Sequence, residues 1–369
     1  MKISDISCLI VAGGQSTRMG YDKRTIELSG ETLLEGILRK ASRQGFRSVI
    51  LSVDRSFAGI SNLAEKYNAH VVFDREPGRG PMEGLALGLS ASNTDWVLVL
   101  STDMPFYTFS LLSPLITALE MAWKRDRHPL AVISCAAGRR QPLASLYHRS
   151  LGVAFHTAIA RRMLKLGEVI EAASTSALYV DIQGKDTRFF NINTPADLRL
   201  AIGRAINLSR KVPLVTITAP KSNTGKTTFI ERILPRLAEM GIYAGVVKSD
   251  AHAFTLDTEG KDTDRFFKAG AHAVALTSKD GYFLFQRTDE QKTLLELAEK
   301  LENVDLILFE SRAHGIFPAI GLFRGLGEPH FPNDVVAVFS DRDIAVPQPV
   351  HHIDDIDRAT FLVLFLTGL

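Results

Sequence analysis

An apolar run that ends in paired glycines is the feature that most limits how this chain can fold. The run Leu9-Ile10-Val11 reads as a buried strand, and Gly13-Gly14 follow it directly after Ala12. Paired glycines let the backbone pass close to a bulky ligand and present several N–H groups to it. Arg18 and Lys23 come next as natural counter-charges for a triphosphate. A basic surface loop is the alternative, but the whole pattern favours a nucleotide site. The predicted binding residues are Val11, Ala12, Gly13, Gly14 and Lys23, and Arg18 and Lys23 are predicted to be catalytic.

Length and composition favour two domains in a cytoplasmic protein. A chain of 369 residues exceeds the size of one ordinary domain. Its formal net charge of +2 gives no reason to expect a nucleic acid or a membrane as partner. The two cysteines, Cys8 and Cys135, lack metal-type spacing, which suits a reducing compartment. The start of the chain lacks a signal-peptide pattern, and no apolar run approaches membrane-spanning length.

Short apolar segments alternate with helical ones in both halves of the chain. This alternation predicts an α/β fold with two domains, each a mostly parallel sheet covered by helices. A helix should begin at Thr194-Pro195, where Thr194 can act as its cap, and end near Asn207. The expected domains are residues 1–208 and 209–369. The predicted strands cover residues 48–53, 70–73, 96–100, 214–219, 244–247, 305–309 and 335–339.

Three further motifs follow the first glycine loop in the N-terminal half. They are PGRGPMEG (Pro77 to Gly84), STDMPF (Ser101 to Phe106) and NINTPADL (Asn191 to Leu198). With LIVAGGQSTRMGYDK before them, in this order, they resemble the motifs of the molybdenum cofactor guanylyltransferase family. Thr102 stands where the family more often has Cys. The resemblance implies a Rossmann-like nucleotidyltransferase domain that transfers GMP from GTP to molybdopterin and releases pyrophosphate.

Asp103 is the best candidate for a Mg²⁺ ligand, and we also predict it to be catalytic and to bind the nucleotide. It follows a predicted strand, at the edge of a parallel sheet where ligands collect. The alternative role is to cap the next turn before Pro105. The resemblance places Asn193 where the family has its closing polar group, which implies a second metal ligand, with Asn191 as a binding residue. A simple turn before the Thr194-capped helix is an equal alternative for Asn193.

The nucleotide base needs polar partners near the same edge. Asp74 matches a family aspartate, and Asp54 stands where the family usually has Asn. A carboxylate accepts two N–H bonds, which suits guanine N1 and N2. Solvated loop carboxylates are the alternative for both residues. Gly80 would allow close approach to base or ribose, unless its loop is a plain turn. For molybdopterin, Arg139-Arg140 could hold the phosphate or form an exposed basic turn.

A second strand and glycine loop opens the C-terminal half, where LVTITA runs into PKSNTGKTT. Gly225-Lys226-Thr227 satisfies the end of the P-loop pattern, although Pro220 stands where the first glycine belongs. The lysine normally reaches the β- and γ-phosphates and the threonine normally binds Mg²⁺. Pro235 should kink or shorten the following helix. The predicted nucleotide-binding residues are Asn223, Thr224, Gly225, Lys226, Thr227 and Thr228.

This half resembles the P-loop GTP-binding protein of molybdopterin-guanine dinucleotide biosynthesis. The matching strings are VVKSDAHAF (Val246 to Phe254), GKDTDRFFKAGA (Gly260 to Ala271) and DLILFE (Asp305 to Glu310). Glu310, after an apolar strand, could hold Mg²⁺ through water, and Asp262 is an alternative. Because Ser311-Arg312 replaces the Gly-Phe that follows in the family, hydrolysis of GTP stays open.

The combined motifs predict a fused enzyme that uses GTP and Mg²⁺, takes molybdopterin as its second substrate, and contacts molybdenum cofactor-handling proteins. A cytidylyltransferase for the same cofactor, or a sugar-phosphate nucleotidyltransferase, is the nearest alternative. A carrier or interaction module that binds nucleotides without chemistry is an alternative of another class.

Overall fold

The fold of the protein comes from a computed structural model. It describes residues 1–12, 25–75, 80–163, 165–173, 177–183, 187–249, 262–290, 292–311, 317–325, 328–332 and 334–369. The chain divides into two compact units, Met1–Ile202 and Gly203–Leu369. In the described ranges, no helix reaches the length and apolarity that a membrane crossing requires.

Strands and helices alternate along the first unit. In chain order the elements are β1 (Ile6–Val11), β2 (Glu27–Leu28), β3 (Glu31–Thr32), α1 (Leu33–Ser42), β4 (Val49–Val53), α2 (Ile60–Lys66), β5 (Ala69–Phe73), α3 (Pro81–Ala91), β6 (Trp96–Ser101), α4 (Leu112–Trp123), β7 (Ala131–Ala136), β8 (Arg139–His148), α5 (Leu151–Ala160), α6 (Leu166–Ala173), β9 (Leu178–Ile182) and α7 (Pro195–Leu208).

The main sheet of the first unit has the strand order β5-β4-β1-β6-β8-β7-β9. The pairs among β5, β4, β1 and β6 are parallel, as is the pair of β7 with β9, while β8 is antiparallel to both its neighbours. The prediction of a mostly parallel sheet is thus confirmed. Arg139-Arg140 begins β8 and does not form the turn. The turn is made by Ala137 and Gly138, which have φ of 48° and 72°.

Both faces of this sheet are covered, which explains its uninterrupted apolar strands. Along β1, Cys8 and Ile10 pack into a core with α1 and α4. Leu9 and Val11 point the other way, into a core with α3 and α5. Strands buried on two faces appear in a sequence as continuous apolar runs. This pattern allows β1, β4 and β6 to be recognised from the sequence.

The second unit contains a wholly parallel six-stranded sheet, ordered β11-β14-β10-β15-β16-β17, and a separate antiparallel β12–β13 hairpin. Its elements after α7 are β10 (Leu214–Thr218), α8 (Lys226–Glu239), β11 (Ala244–Lys248), α9 (Asp262–Lys268), β12 (Ala273–Thr277), β13 (Tyr282–Gln286), α10 (Leu294–Ala298), β14 (Leu306–Glu310), β15 (Ala319–Phe323), β16 (Val335–Ser340), β17 (Val350–His352) and α11 (Ile356–Thr367).

Pro235 does not shorten α8, which continues from Lys226 to Glu239. Proline removes one backbone donor from a helix, but the buried face of α8 continues past it. Ile233 is fully buried before the proline and Leu237 after it. Packing of this face on the core offsets the missing hydrogen bond.

The last turns of α7 pack within the second unit. Thr194 caps the start of α7, because its Oγ1 accepts from Asp197 N at 3.2 Å while Asp197 Oδ2 accepts from Thr194 N at 2.8 Å. Near the other end, buried Asn207 donates to the carbonyls of Leu214 and Leu366, both at 2.9 Å. These contacts explain why the chain divides at 202/203, ahead of the boundary at 208/209 that the sequence predicts.

Candidate functional site

The carboxyl ends of β1, β4, β5 and β6 form one edge of the first unit's sheet. Ala12 N donates to Ser52 O at 2.8 Å, and Thr102 N donates to Val11 O at 3.4 Å. Val11 and Ala12 are buried, and their side chains belong to the two cores on opposite faces of the sheet. Four predicted residues that follow them, Gly13, Gly14, Arg18 and Lys23, lie outside the described residues.

Asp103 lies at this edge beside the closing motif. Ile192 N donates to Asp103 O at 2.9 Å, which ties residues 191–193 to the segment after β6. The amide of Asn191 donates to Phe189 O at 2.9 Å. Asn193 is exposed and donates its backbone N–H to Asp197 Oδ2 at 3.0 Å. The structure thus brings together Asp103, Asn191 and Asn193, which the sequence separates by nearly ninety positions.

The oxygen atoms of the side chains at and beside Asp103 are ligands that suit a hard cation. Carboxylate and amide oxygens are ligands that Mg²⁺ accepts, and Mg²⁺ commonly takes one or two carboxylates and completes its shell with substrate phosphates and water. In the described ranges, no group of three or more His, Cys, Asp or Glu side chains is arranged to hold a metal ion. A metal at Asp103 would therefore depend on the nucleotide for further ligands.

Three carboxylates gather where β4 and β5 end and α3 begins. Asp74 Oδ1 accepts from Ser52 Oγ at a long 3.5 Å. Burial first, and then the charges of Glu83 and Asp54, raise the pKa of Asp74 to about 6, against the opposing hydrogen bond from Ser52. Glu83 is 4% exposed. It is not among the candidate site residues predicted from the sequence. A sequence signal for it exists, since Glu83 is the one charged residue in the mostly apolar α3.

Two glycines bring α3 close to this edge. Gly80 precedes the helix with φ of 67°, a left-handed value that favours glycine. A Cβ built at Gly84 would lie 2.6 Å from Ser52 Oγ and 3.3 Å from Val11 Cγ1. The helix can therefore approach Ser52, and through it Asp74, only because residue 84 has no side chain.

Gly84→Ala should destabilise the first unit by about 1–3 kcal/mol, because the new methyl group must displace the buried Ser52 hydroxyl. Urea unfolding followed by tryptophan fluorescence reports on this unit, since Trp96 and Trp123 are the only tryptophans and both belong to it. Gly167→Ala in α6 is the matched control, because a Cβ there meets nothing within 4 Å. Equal midpoints for the two variants would contradict the close approach of α3.

The second glycine loop connects β10 to α8. Asn223 and Gly225 have φ of 55° and 87°. Buried Thr224 donates from Oγ1 to Lys221 O at 2.6 Å and closes the loop on itself. Lys226 begins α8 with a side chain that is only 8% exposed, while Thr227 and Thr228 are exposed. A lysine at the amino end of a 14-residue helix, after a loop with left-handed residues, suits a phosphate group.

Thr227 and Glu310 meet at this loop. The Thr227 hydroxyl lies 3.0 and 2.9 Å from the two Glu310 carboxylate oxygens, and Lys248 Nζ lies 3.7 Å from Oε1. This set of oxygens suits Mg²⁺. Asp262 is instead an exposed residue at the start of α9, 3.5 Å from Arg265.

Comparison with known proteins gives each half a relative. The model of the MobA-like NTP transferase domain matches residues 8–174, and that of molybdopterin guanine dinucleotide synthesis protein B matches residues 214–341. The molybdenum cofactor guanylyltransferase of Vibrio cholerae is 30% identical over 197 residues, which is 53% of this chain and 90% of that protein. Its Yersinia pestis counterpart is 30% identical over 198 residues, 53% of this chain and 94% of that protein.

Two solved structures are similar to separate halves. Molybdopterin-guanine dinucleotide biosynthesis protein A from Archaeoglobus fulgidus is 25% identical, with 53% of this chain and 96% of that chain covered and a TM-score of 0.44. Bacillus subtilis MobB is 29% identical, with 42% of this chain and 97% of that chain covered and a TM-score of 0.33. By its match to nearly the full length of the curated relatives, this chain belongs to the molybdenum cofactor guanylyltransferase family and carries a second, MobB-type domain.

Proposed function

We propose that the first unit transfers GMP from GTP to molybdopterin and releases pyrophosphate. The observation that carries this proposal is the hydrogen bond from Ile192 N to Asp103 O. It holds the closing motif beside Asp103, at the edge where the loop after Val11 leaves the sheet. Ligands of open α/β sheets bind at this edge. Family membership supports the same reaction.

The reaction forms one bond and breaks one. A terminal phosphate oxygen of molybdopterin attacks the α-phosphorus of GTP, and the bond from that phosphorus to the bridging oxygen of pyrophosphate breaks. Asp103 with Asn193 would hold Mg²⁺, which neutralises charge on the phosphates when bound. Arg18 and Lys23 would supply further positive charge to the triphosphate. Val11, Ala12, Gly13 and Gly14 would present their backbone to the nucleotide, and Asn191 would complete this side of the site.

Asp74 is the proposed acceptor for guanine, with Asp54 beside it and Gly80 giving access. An acceptor-only carboxylate suits the N1 and N2 donors of guanine. Cytosine offers a single amino donor at its corresponding edge, so this carboxylate favours guanine over the cytidylyltransferase alternative. The charged form of Asp74 is disfavoured by burial and by two like charges, and N–H donors from a base would relieve that cost.

Asp74→Asn should lower the use of GTP by about tenfold or more at subsaturating GTP, since a mismatched polar pair costs about 1–3 kcal/mol. The rate with inosine triphosphate should fall less in this variant, because that nucleotide lacks the N2 amine. The preference of the wild type for GTP should also weaken as the pH falls through about 6, where Asp74 takes up its proton, whereas the preference of the variant should stay flat.

Initial rates with GTP and with inosine triphosphate between pH 5.5 and 8 measure both effects. Asp95→Asn is the control, since Asp95 precedes β6 at the opposite edge of the sheet and lies 3.8 Å from Arg149. A GTP preference that Asp74→Asn leaves unaltered would remove Asp74 from the base site and reopen the choice between guanine and cytosine.

The second unit is proposed to bind GTP with Mg²⁺ and to assist in handling the cofactor. Asn223, Thr224, Gly225, Lys226, Thr227 and Thr228 would hold the phosphates, and Thr227 and Glu310 would hold the metal. We place the protein in the cytoplasm, where it would pass its product to molybdenum cofactor-handling proteins. Pyrophosphate release from GTP that depends on added molybdopterin separates this enzyme from a carrier, which would bind both molecules and release none.

A further inference from the structure

Arg324 is a cation at the second nucleotide site that no sequence motif marks. It follows β15 directly, and β15 is parallel to β10, with Thr218 paired to Gly321. The glycine loop follows β10, so both segments leave the sheet at the same edge. A Cβ built at Gly225 would lie 3.3 Å from Arg324 Nη1 and 3.6 Å from its Cζ. The guanidinium therefore lies against the loop glycine that precedes Lys226.

The described residues give this guanidinium only a weak charge interaction, with Asp354. Within the part of the chain that the structure describes, Arg324 makes no hydrogen bond or ion pair. The nearby carboxylate is Asp354, which accepts from Arg232 Nη1 at 2.6 Å. The pKa of Asp354 is lowered first by that hydrogen bond from Arg232, and Arg324 is the smallest of the causes. The main ion-pair partner of Asp354 is thus Arg232.

Positive groups converge on the loop from two different strands. The amino end of α8 and Lys226 come from the β10 side, and Arg324 comes from β15. Like charges close together repel unless anions lie among them, and Glu310, which accepts from Thr227, is one carboxylate at this loop. At the same edge, Thr218 is 1% exposed, and its Oγ1 has no hydrogen-bond partner among the described residues. The Arg324 guanidinium and the Thr218 hydroxyl, which have no hydrogen-bond partner among the described residues, point to a ligand with several anionic oxygens.

We propose that Arg324 binds the phosphate chain of the nucleotide in the second unit. This proposal rests on the GTP site proposed above and adds to it a cation from outside the loop. A guanidinium presents a rigid fork of donors that matches two phosphate oxygens, which an ammonium cannot do. Arg324 would thereby link the end of β15 to the bound nucleotide, and the affinity of the site would depend on two strands.

The test is calorimetric titration of the full chain with GTP and Mg²⁺ in the absence of molybdopterin, so that no transfer occurs. The binding component that Lys226→Ala removes defines the second-unit site. Arg324→Gln should weaken that component by about tenfold or more, because charge-assisted hydrogen bonds are lost. The GTP affinity of Arg324→Lys should lie between those of the wild type and Arg324→Gln, since lysine keeps the charge but lacks the forked guanidinium. The loss should shrink at high salt.

Arg236→Gln is the matched control, because Arg236 is an exposed arginine on α8 that pairs with Glu239 and Asp357, at 3.5 and 3.7 Å, away from the loop. It should leave GTP affinity within about twofold of the wild type. GTP binding that Arg324→Gln leaves unchanged or tightens would overturn the role of Arg324. If Lys226→Ala removes no binding component at all, the proposed GTP site itself is wrong, which is a separate result.

Discussion

Asp103→Ala should abolish GMP transfer while leaving the protein folded. The closing motif is held beside Asp103, at the carboxyl edge of the sheet, by the hydrogen bond from Ile192 N to the backbone carbonyl of Asp103. Without Asp103 the Mg²⁺ proposed to neutralise the triphosphate would not be held, and the anionic phosphate of molybdopterin would be repelled from the nucleotide. Loss of a group that stabilises transition-state charge commonly costs about 10²–10³-fold in rate, and loss of a metal ligand should cost at least as much. Pyrophosphate release with GTP, molybdopterin and Mg²⁺ measures the effect.

Two controls separate this loss from misfolding. Asp95→Ala removes an exposed carboxylate at the other end of β6 and should leave transfer unchanged. Tryptophan fluorescence should show the native first unit in both variants, because Trp96 and Trp123 belong to that unit. A folded Asp103→Ala protein with near-normal turnover would remove the central assignment of the site.

Lys226→Ala should weaken GTP binding by the second unit by about a hundredfold, the loss expected of a nearly buried cation that contacts phosphate in several charge-assisted bonds. GMP transfer by the full chain should continue, since each unit has its own strand, glycine loop and helix. Titration with GTP and the rate of transfer are measured on the same preparation.

Lys292→Ala provides the comparison for Lys226→Ala. Lys292 is an exposed lysine of the second unit that pairs with Glu296 at 3.2 Å, and its removal should affect neither measurement. If Lys226→Ala stops transfer while Lys292→Ala does not, the two nucleotide sites are coupled or have been assigned to the wrong reactions.

Many of the parallel strands could be predicted from sequence because they are buried on both faces, although β15 and β17 were not predicted. Leu214–Thr218 and Leu306–Glu310 are buried throughout, and apart from two threonines and the final glutamate their residues are apolar. β8 was not recognised, because its first five residues, from Arg139, are exposed or only partly buried and resemble a surface turn. Strand direction depends on pairing with distant strands, which local composition does not encode.

The residues of the candidate site likewise differ in whether their positions could be predicted from the sequence. Asp103, Asp74 and Lys226 lie after the carboxyl ends of strands that the sequence predicts, where ligands of such sheets collect, and their roles stay predictions. The positions of Glu83 and Arg324 could not be predicted, since they depend on neighbours from other elements: the charge of Glu83 in α3 acts on Asp74, and Arg324 after β15 lies against Gly225. Such proximity follows from the packing of the sheet and not from any spacing along the chain.

The mass of the product tests the central claim most directly. The full chain is incubated with Mg²⁺, molybdopterin and an equimolar mixture of GTP, CTP and ATP, and the pterin products are separated and weighed by mass spectrometry. The account predicts molybdopterin that has gained one GMP, with one pyrophosphate released for each product formed. Molybdopterin that gains CMP, or that is recovered unchanged while GTP binds normally, would contradict it.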